Sequence, residues 1–198
     1  NGILGERTAL VHCVWLDEPD IEMMARAGAK AVHNPESNMK LASGIAPVPA
    51  LQAAGVTVAL GTDGCASNNN LDMFQEMGTA ARLHKVSRLD PTAMRATTVL
   101  RMATLDGARA LGLSGSVGVL RPGMKADIIT VDFNRPHLTP LYHEESHLVY
   151  CASGSDVDNA VINGRLVMEN RRILTFDEEE AMDRVNAIAG RVRTSLGM

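Results

Sequence analysis

Val58-Ala-Leu-Gly-Thr-Asp63-Gly64 is an apolar run that ends in a carboxylate and a glycine, with Ser67-Asn68-Asn69-Asn70 close behind it. A buried strand delivering one acid at its carboxyl end is how an α/β barrel sets a metal ligand in its mouth. A carboxylate in that position is costly unless it is paired or metal-bound. The competing reading is a turn or N-cap aspartate before Gly64.

From Thr8 to about Ala110 the chain alternates short apolar runs with helical stretches. Residues 9–15 (ALVHCVW) read as a buried strand, followed by a helix with Asp17 as N-cap, Pro19 in its first turn and Gly28 as its stop. Residues 29–33 are a second strand, 47–54 a short helix closed by Gly55, and 56–60 a third strand. A helix from Leu71 to about Val86 carries Leu71, Phe74, Met77 and Gly78 on one face. Such a rhythm implies parallel strands joined by right-handed crossovers. Asp90-Pro91 opens a further helix to about Met102, and Thr104 caps another that stops at Gly112.

After this the rhythm changes. Residues 115–123 are turn-rich, 126–132 alternate as a strand, and 157–168 read as a hairpin turning at Asn163-Gly164. The tail from Asp177 to about Leu196 is helical, with acids at the positive end of its dipole. The division expected is residues 1–113 as barrel and 114–198 as a small β module with a terminal helix.

Composition narrows the class. The chain of 198 residues is 45% hydrophobic, enough for a real core. A net charge of -4 argues against nucleic acid as an obligatory partner, and no stretch approaches the roughly 20 apolar residues of a membrane span. Cys13, Cys65 and Cys151 are odd in number and widely spaced, which suits reduced thiols and a cytoplasmic setting. Asn1 is not an initiator methionine, so a processed or truncated piece is expected.

His12, His33 and Asp63 stand in or at the ends of the three strands, where a parallel barrel brings distant residues together. Two imidazoles and a carboxylate suit zinc or a similar divalent ion, or proton transfer. Spacing alone is weak support, because a histidine in an apolar strand is more often a satisfied core residue than a ligand. His84, beside Arg82 and Lys85, reads as part of a solvated face. His137, His143 and His147 are spaced too irregularly for a second metal site, and the Met23-Met24 pair reads as core filling.

The longer strings carry a resemblance. His33-Asn-Pro-Glu-Ser-Asn38-Met-Lys-Leu, Gly44-Ile-Ala-Pro47, Gly61-Thr-Asp63-Gly64 with Ser67-Asn-Asn, residues 104–112 and residues 118–127 together resemble the amidohydrolase superfamily. Within it, the chain resembles the 5-methylthioadenosine/S-adenosylhomocysteine deaminase group and its relatives, the triazine hydrolases. The resemblance implies an α/β fold: the C-terminal part, about strands six to eight, of a metal-dependent (β/α)8 TIM barrel, plus a small β-sandwich module and a C-terminal helix. It implies Asp63 as metal ligand, substrate contact and proton acceptor, and His12 as the group orienting the attacking water. It places His33 and Asn34 in or just behind the substrate pocket, with Asn38 and residues 67–70 shaping the loops. The implied cofactor is zinc, one per complete site, with Fe2+ or Mn2+ as alternatives. The implied partner is an adenosine-type nucleoside, in a homo-oligomer.

The chain departs from that pattern in one respect. The superfamily's first-strand histidine pair, its fifth-strand histidine and its glutamate acid have no counterpart, and no His-x-His occurs. Catalytic zinc usually takes three protein ligands, and Asp63 supplies one. The expectation is therefore that this polypeptide alone lacks zinc and deaminase activity. The alternatives are a triazine or guanine-type hydrolase of the same superfamily, and a non-catalytic assembly module.

Overall fold

The structure, a computed structural model, describes residues 2–197; Asn1 and Met198 lie outside the described residues. The chain divides into two compact units. The first takes in the described residues up to Lys125 together with Phe133–Asp156, and the second Ala126–Asp132 with the described residues from Val157 onward.

The first unit is built on a three-stranded parallel sheet, β1 (Ala9–Val11), β2 (Lys30–His33) and β3 (Val58–Leu60), in that order. Val11 lies beside Val32, and His33 beside Leu60. Helix α1 (Glu18–Ala27) connects the first two strands, and α2 (Pro35–Lys40) and α3 (Val48–Ala53) the second and third. Three helices, α4 (Met73–Arg88), α5 (Ala96–Ala103) and α6 (Leu105–Ala110), pack against β3. Helix α7 (Glu144–Tyr150) packs on α4 and α5. Val48, Leu51, Val58, Ala80, Ala81, Val99 and Met102 are buried and form the centre of the core.

Helix α1 starts where expected. The Asp17 side chain accepts from the Asp20 N–H, and the Asp20 side chain in turn accepts from the Asp17 N–H, a reciprocal capping box. Asp17→Ala is expected to cost about 1 kcal/mol, measurable as a lower urea midpoint with unchanged slope.

Four readings are corrected by the structure. The first strand ends at Val11, because His12 and Cys13 take positive φ of 69° and 53° that break the extended chain. It is also not buried: Val11 is 52% and Trp15 87% exposed. No helix begins at Asp90. Its Oδ1 accepts from both the N–H and the hydroxyl of Thr92, and Lys85 donates to the carbonyls of Ala93 and Met94. That local turn satisfies the polar groups a helix would have used, so α5 starts only at Ala96. His84 is not on a solvated face but 1% exposed. Of the methionine pair, Met24 is core and Met23 is half exposed.

The second unit is a four-stranded antiparallel sheet in the order β4 (Ile128–Val131), β5 (Val157–Ile162), β6 (Arg165–Glu169) and β7 (Arg172–Ile173). β5 and β6 turn at Asn163 and Gly164, both at positive φ (50° and 77°), as a two-residue hairpin of that composition requires. Helix α8 (Glu178–Ser195) follows, its first N–H groups capped by Asp177, with no buried residue along its length. Among the described residues no helix is long and apolar enough to cross a membrane.

Candidate active site

Asp63 lies three residues beyond β3, in the left-handed region at φ 62°. Its Oδ2 accepts two hydroxyl hydrogen bonds, from Ser37 Oγ and Ser67 Oγ, each at 2.7 Å. The hydroxyl of Ser37, and after it that of Ser67, hold the carboxyl below the usual carboxylate range. Asp63 is therefore an anion at neutral pH. Ser37 comes from α2, and Ser67 from the loop between β3 and α4.

His12 approaches from the end of β1. Its Nε2 is 3.8 Å from Asp63 Oδ2, and its Nδ1 is 2.8 Å from Asn38 Oδ1. With Asn38 Oδ1 accepting from Nδ1, the ring is oriented so that Nε2 faces Asp63. Three residues here, His12, Cys13 and Asp63, hold positive φ, which is uncommon outside glycine and concentrates at functional sites.

His33 and Asn34 are placed differently. Both are buried, at 1% and 2% exposure. His33 Nε2 lies 3.1 Å from His84 Nε2, and one ring donates to the other. Burial, with the neighbouring His84 and His12, pushes His33 down to about 3; burial and Arg88 push His84 down to about 4. Both rings are thus neutral. Asn34 lies against Gly61, where a Cβ would stand 3.0 Å from Asn34 Nδ2 and Val32 Cγ1, so a larger residue would require those side chains to give by a few tenths of an ångström.

The loop of residues 64–70 is tied down from several sides. Lys40 Nζ donates to the Ala66 carbonyl at 2.7 Å and to Asn69 Oδ1. Asn68 donates to Glu76, a carboxylate wholly buried in the first turn of α4, and Asn70 donates to Glu36. Ser37, Glu36, Glu76 and His84 were not singled out as site residues from the sequence. A signal existed for two of them: Glu76, Met77, Ala80, Ala81 and His84 fall on one helical stripe, and all are buried.

Asp63 offers a hard anionic oxygen to a divalent cation, and His12 an imidazole beside it. Among the described residues no three of His, Cys, Asp or Glu converge. The residues present fit part of a zinc donor set, not a whole one. His137 is engaged otherwise, 3.1 Å from the buried Asp156.

The profile of the amidohydrolase family matches residues 1–167. The chain belongs to the amidohydrolase family. It is 62% identical, over 98% of its length, to a 5-methylthioadenosine/S-adenosylhomocysteine deaminase of Syntrophus aciditrophicus, and 51% identical, over 95%, to a 5'-deoxyadenosine deaminase of Methanosarcina mazei. It spans 44% and 43% of the lengths of those relatives. Among solved structures, a zinc-bound adenosine deaminase from Xanthomonas campestris superposes with a TM-score of 0.95 at 43% identity, over 98% of this chain and 44% of that one. A zinc-bound atrazine chlorohydrolase from Arthrobacter aurescens superposes with 0.81 at 28%, over 92% of this chain and 41% of that one.

Proposed function

We propose that the chain is the C-terminal portion of a zinc-dependent aminohydrolase that removes the exocyclic amine of an adenosine-type nucleoside, 5-methylthioadenosine or S-adenosylhomocysteine. In this reading β1, β2 and β3 are strands six to eight of a (β/α)8 barrel, and β4 to β7 belong to a β-sandwich. The observation that carries the reading is Asp63, an ionised carboxylate held at the carboxyl end of β3 by two serines, 3.8 Å from an imidazole fixed by Asn38. The names of the relatives supply the substrate class.

The reaction replaces the exocyclic C–N bond on the purine ring by a C–O bond: water adds at that ring carbon, and the amine leaves as ammonia. Zinc held by Asp63 and by donors beyond these residues would lower the pKa of a water to about 7. Asp63 then takes a proton from the attacking water and hands it toward the departing amine. His12, its Nδ1 proton engaged by Asn38, presents Nε2 to the same water and fixes its direction. His33 and Asn34 shape the packing beneath the pocket. The triazine reading rests on relatives at 28% identity and is the weaker one.

The test is ammonia release by zinc-loaded enzyme containing this chain, with 5-methylthioadenosine, S-adenosylhomocysteine, 5'-deoxyadenosine, guanine and atrazine offered separately. Turnover of the adenosine compounds at least 100-fold above the others is expected. Turnover of guanine or atrazine alone would overturn the proposal.

A further inference from the structure

A second polar cluster adjoins Asp63 without touching it. Glu76 is wholly buried; its Oε1 accepts from Asn68 Nδ2 at 2.6 Å and its Oε2 from the Glu36 N–H at 3.3 Å. Glu36, in the first turn of α2, accepts at Oε2 from Asn70 Nδ2 at 2.8 Å and Asn68 Nδ2 at 3.3 Å, and at Oε1 from Thr79 Oγ1 at 2.9 Å. Asn68 uses its other end as well: Oδ1 accepts the N–H groups of Asn70 and Leu71, at 3.0 and 2.8 Å. One amide thus joins the loop to α2 and to α4.

A wholly buried carboxylate, Glu76, beside a half-buried one, Glu36, is expensive unless its lone pairs are engaged. Burial and the nearby Glu36 push Glu76 upward, to about 7, although the hydrogen bonds from Glu36 N–H and Asn68 work against that. An apolar pair would fill the same space more cheaply, so the cluster is not explained by packing.

Its place in the chain offers an explanation. Ser37 follows Glu36 and Ser67 precedes Asn68, and these are the two serines that hold Asp63 Oδ2. Asn38, two residues beyond Glu36, holds His12. We propose that Glu36, Asn68 and Glu76 form a positioning clamp, centred on the buried Glu76, that sets Ser37 and Ser67, and through them the direction of the Asp63 carboxylate. Its catalytic consequence rests on the aminohydrolase reading above; its geometric consequence does not.

Asn68→Asp is the sharp variant. It keeps the oxygen that accepts from Asn70 and Leu71 and replaces the donating amide nitrogen by an oxygen of a third carboxylate. A crystal structure of this chain carrying N68D is expected to show Ser67 Oγ moved beyond hydrogen-bond distance of Asp63. In the active enzyme N68D is expected to lower kcat at least 30-fold with KM within threefold, a split that general loosening of the fold would not give. Both serines still at 2.7 Å from Asp63 in N68D, or an unchanged kcat, would overturn the clamp. If N68D does not fold, Glu76→Gln against Glu76→Leu decides. Gln retains an acceptor for Asn68 and is expected to keep the Ser67–Asp63 contact, whereas Leu is expected to lose it; equal geometry in the two variants overturns the clamp. An unsubstituted enzyme inactive on adenosine compounds would count against the function alone, and the crystallographic arm would still judge the clamp.

Discussion

Asp63→Asn is expected to lower kcat/KM of the zinc-loaded enzyme by about a thousandfold or more while leaving the fold in place. The side chains have one shape, and the asparagine oxygen can still accept from Ser37 and Ser67, which hold the carboxylate now at 2.7 Å each. Two things are lost together. The amide takes no proton at neutral pH, and general-base catalysis by a placed group is worth about 10²–10⁴ in rate. The amide also carries no charge, so its hold on a divalent cation weakens. The check is ammonia release alongside zinc content and the thermal midpoint. Full activity with bound zinc would remove Asp63 from the chemistry, and a collapsed midpoint would make its role structural.

The second large effect is on stability at mildly acid pH. His33 and His84 are neutral in the folded chain, at about 3 and about 4, whereas an exposed imidazole titrates near 6.5. As pH falls below about 6.5 the unfolded chain gains protons that the folded chain refuses until pH 4 or lower. Stability therefore falls with falling pH through that window, by on the order of a few kcal/mol for two imidazoles. Glu76 acts in the opposite sense. Its folded value is raised to about 7, so between pH 7 and about 4.5 the folded chain holds a proton that the unfolded one gives up. Two imidazoles outweigh one carboxyl, and the net trend is loss. The carboxyls of Asp63, Asp90 and Asp156, all held low, add to that loss only where unfolded carboxyls titrate, near pH 4 and below. Urea midpoints at pH 7, 6, 5 and 4.5 measure the slope. His84→Phe should flatten it by about one proton, Glu76→Gln should steepen it, and a flat profile in the unsubstituted chain would rule out the buried neutral pair.

What the sequence made legible follows the range over which each interaction acts. The Asp17 cap, the Asn163-Gly164 turn, the helix beginning near Asp177 and the helix read over 71–86 and found at Met73–Arg88 each depend on residues within a few positions, and local pattern reveals them. The parallel sheet followed from the strand and helix alternation. Local reading failed at His84, where charged neighbours on other faces of α4 concealed its place on the buried stripe. It failed at Asp90 because the aspartate satisfies a turn as readily as a helix start. It overextended the first strand because apolar content does not reveal the φ of His12 and Cys13. Within the site, Asp63 stands out in the sequence as an acid ending an apolar run. Ser67, four residues on, is visible beside it, but Ser37 is not, since it is 26 residues away and only the fold brings it near.

The left-handed residues at the site constrain which side chains it can hold at all. Outside glycine, that backbone region is visited mainly by asparagine, aspartate and histidine, and is hostile to β-branched side chains. The positions that carry the carboxylate and the imidazole, Asp63 and His12, both lie in it. Their alphabet is thus narrowed by backbone geometry before any chemistry is asked of them, and threonine or valine is excluded on shape alone. Substitutions meet fewer backbone constraints at Ser37 and Ser67, which lie outside the left-handed region, than at Asp63 and His12.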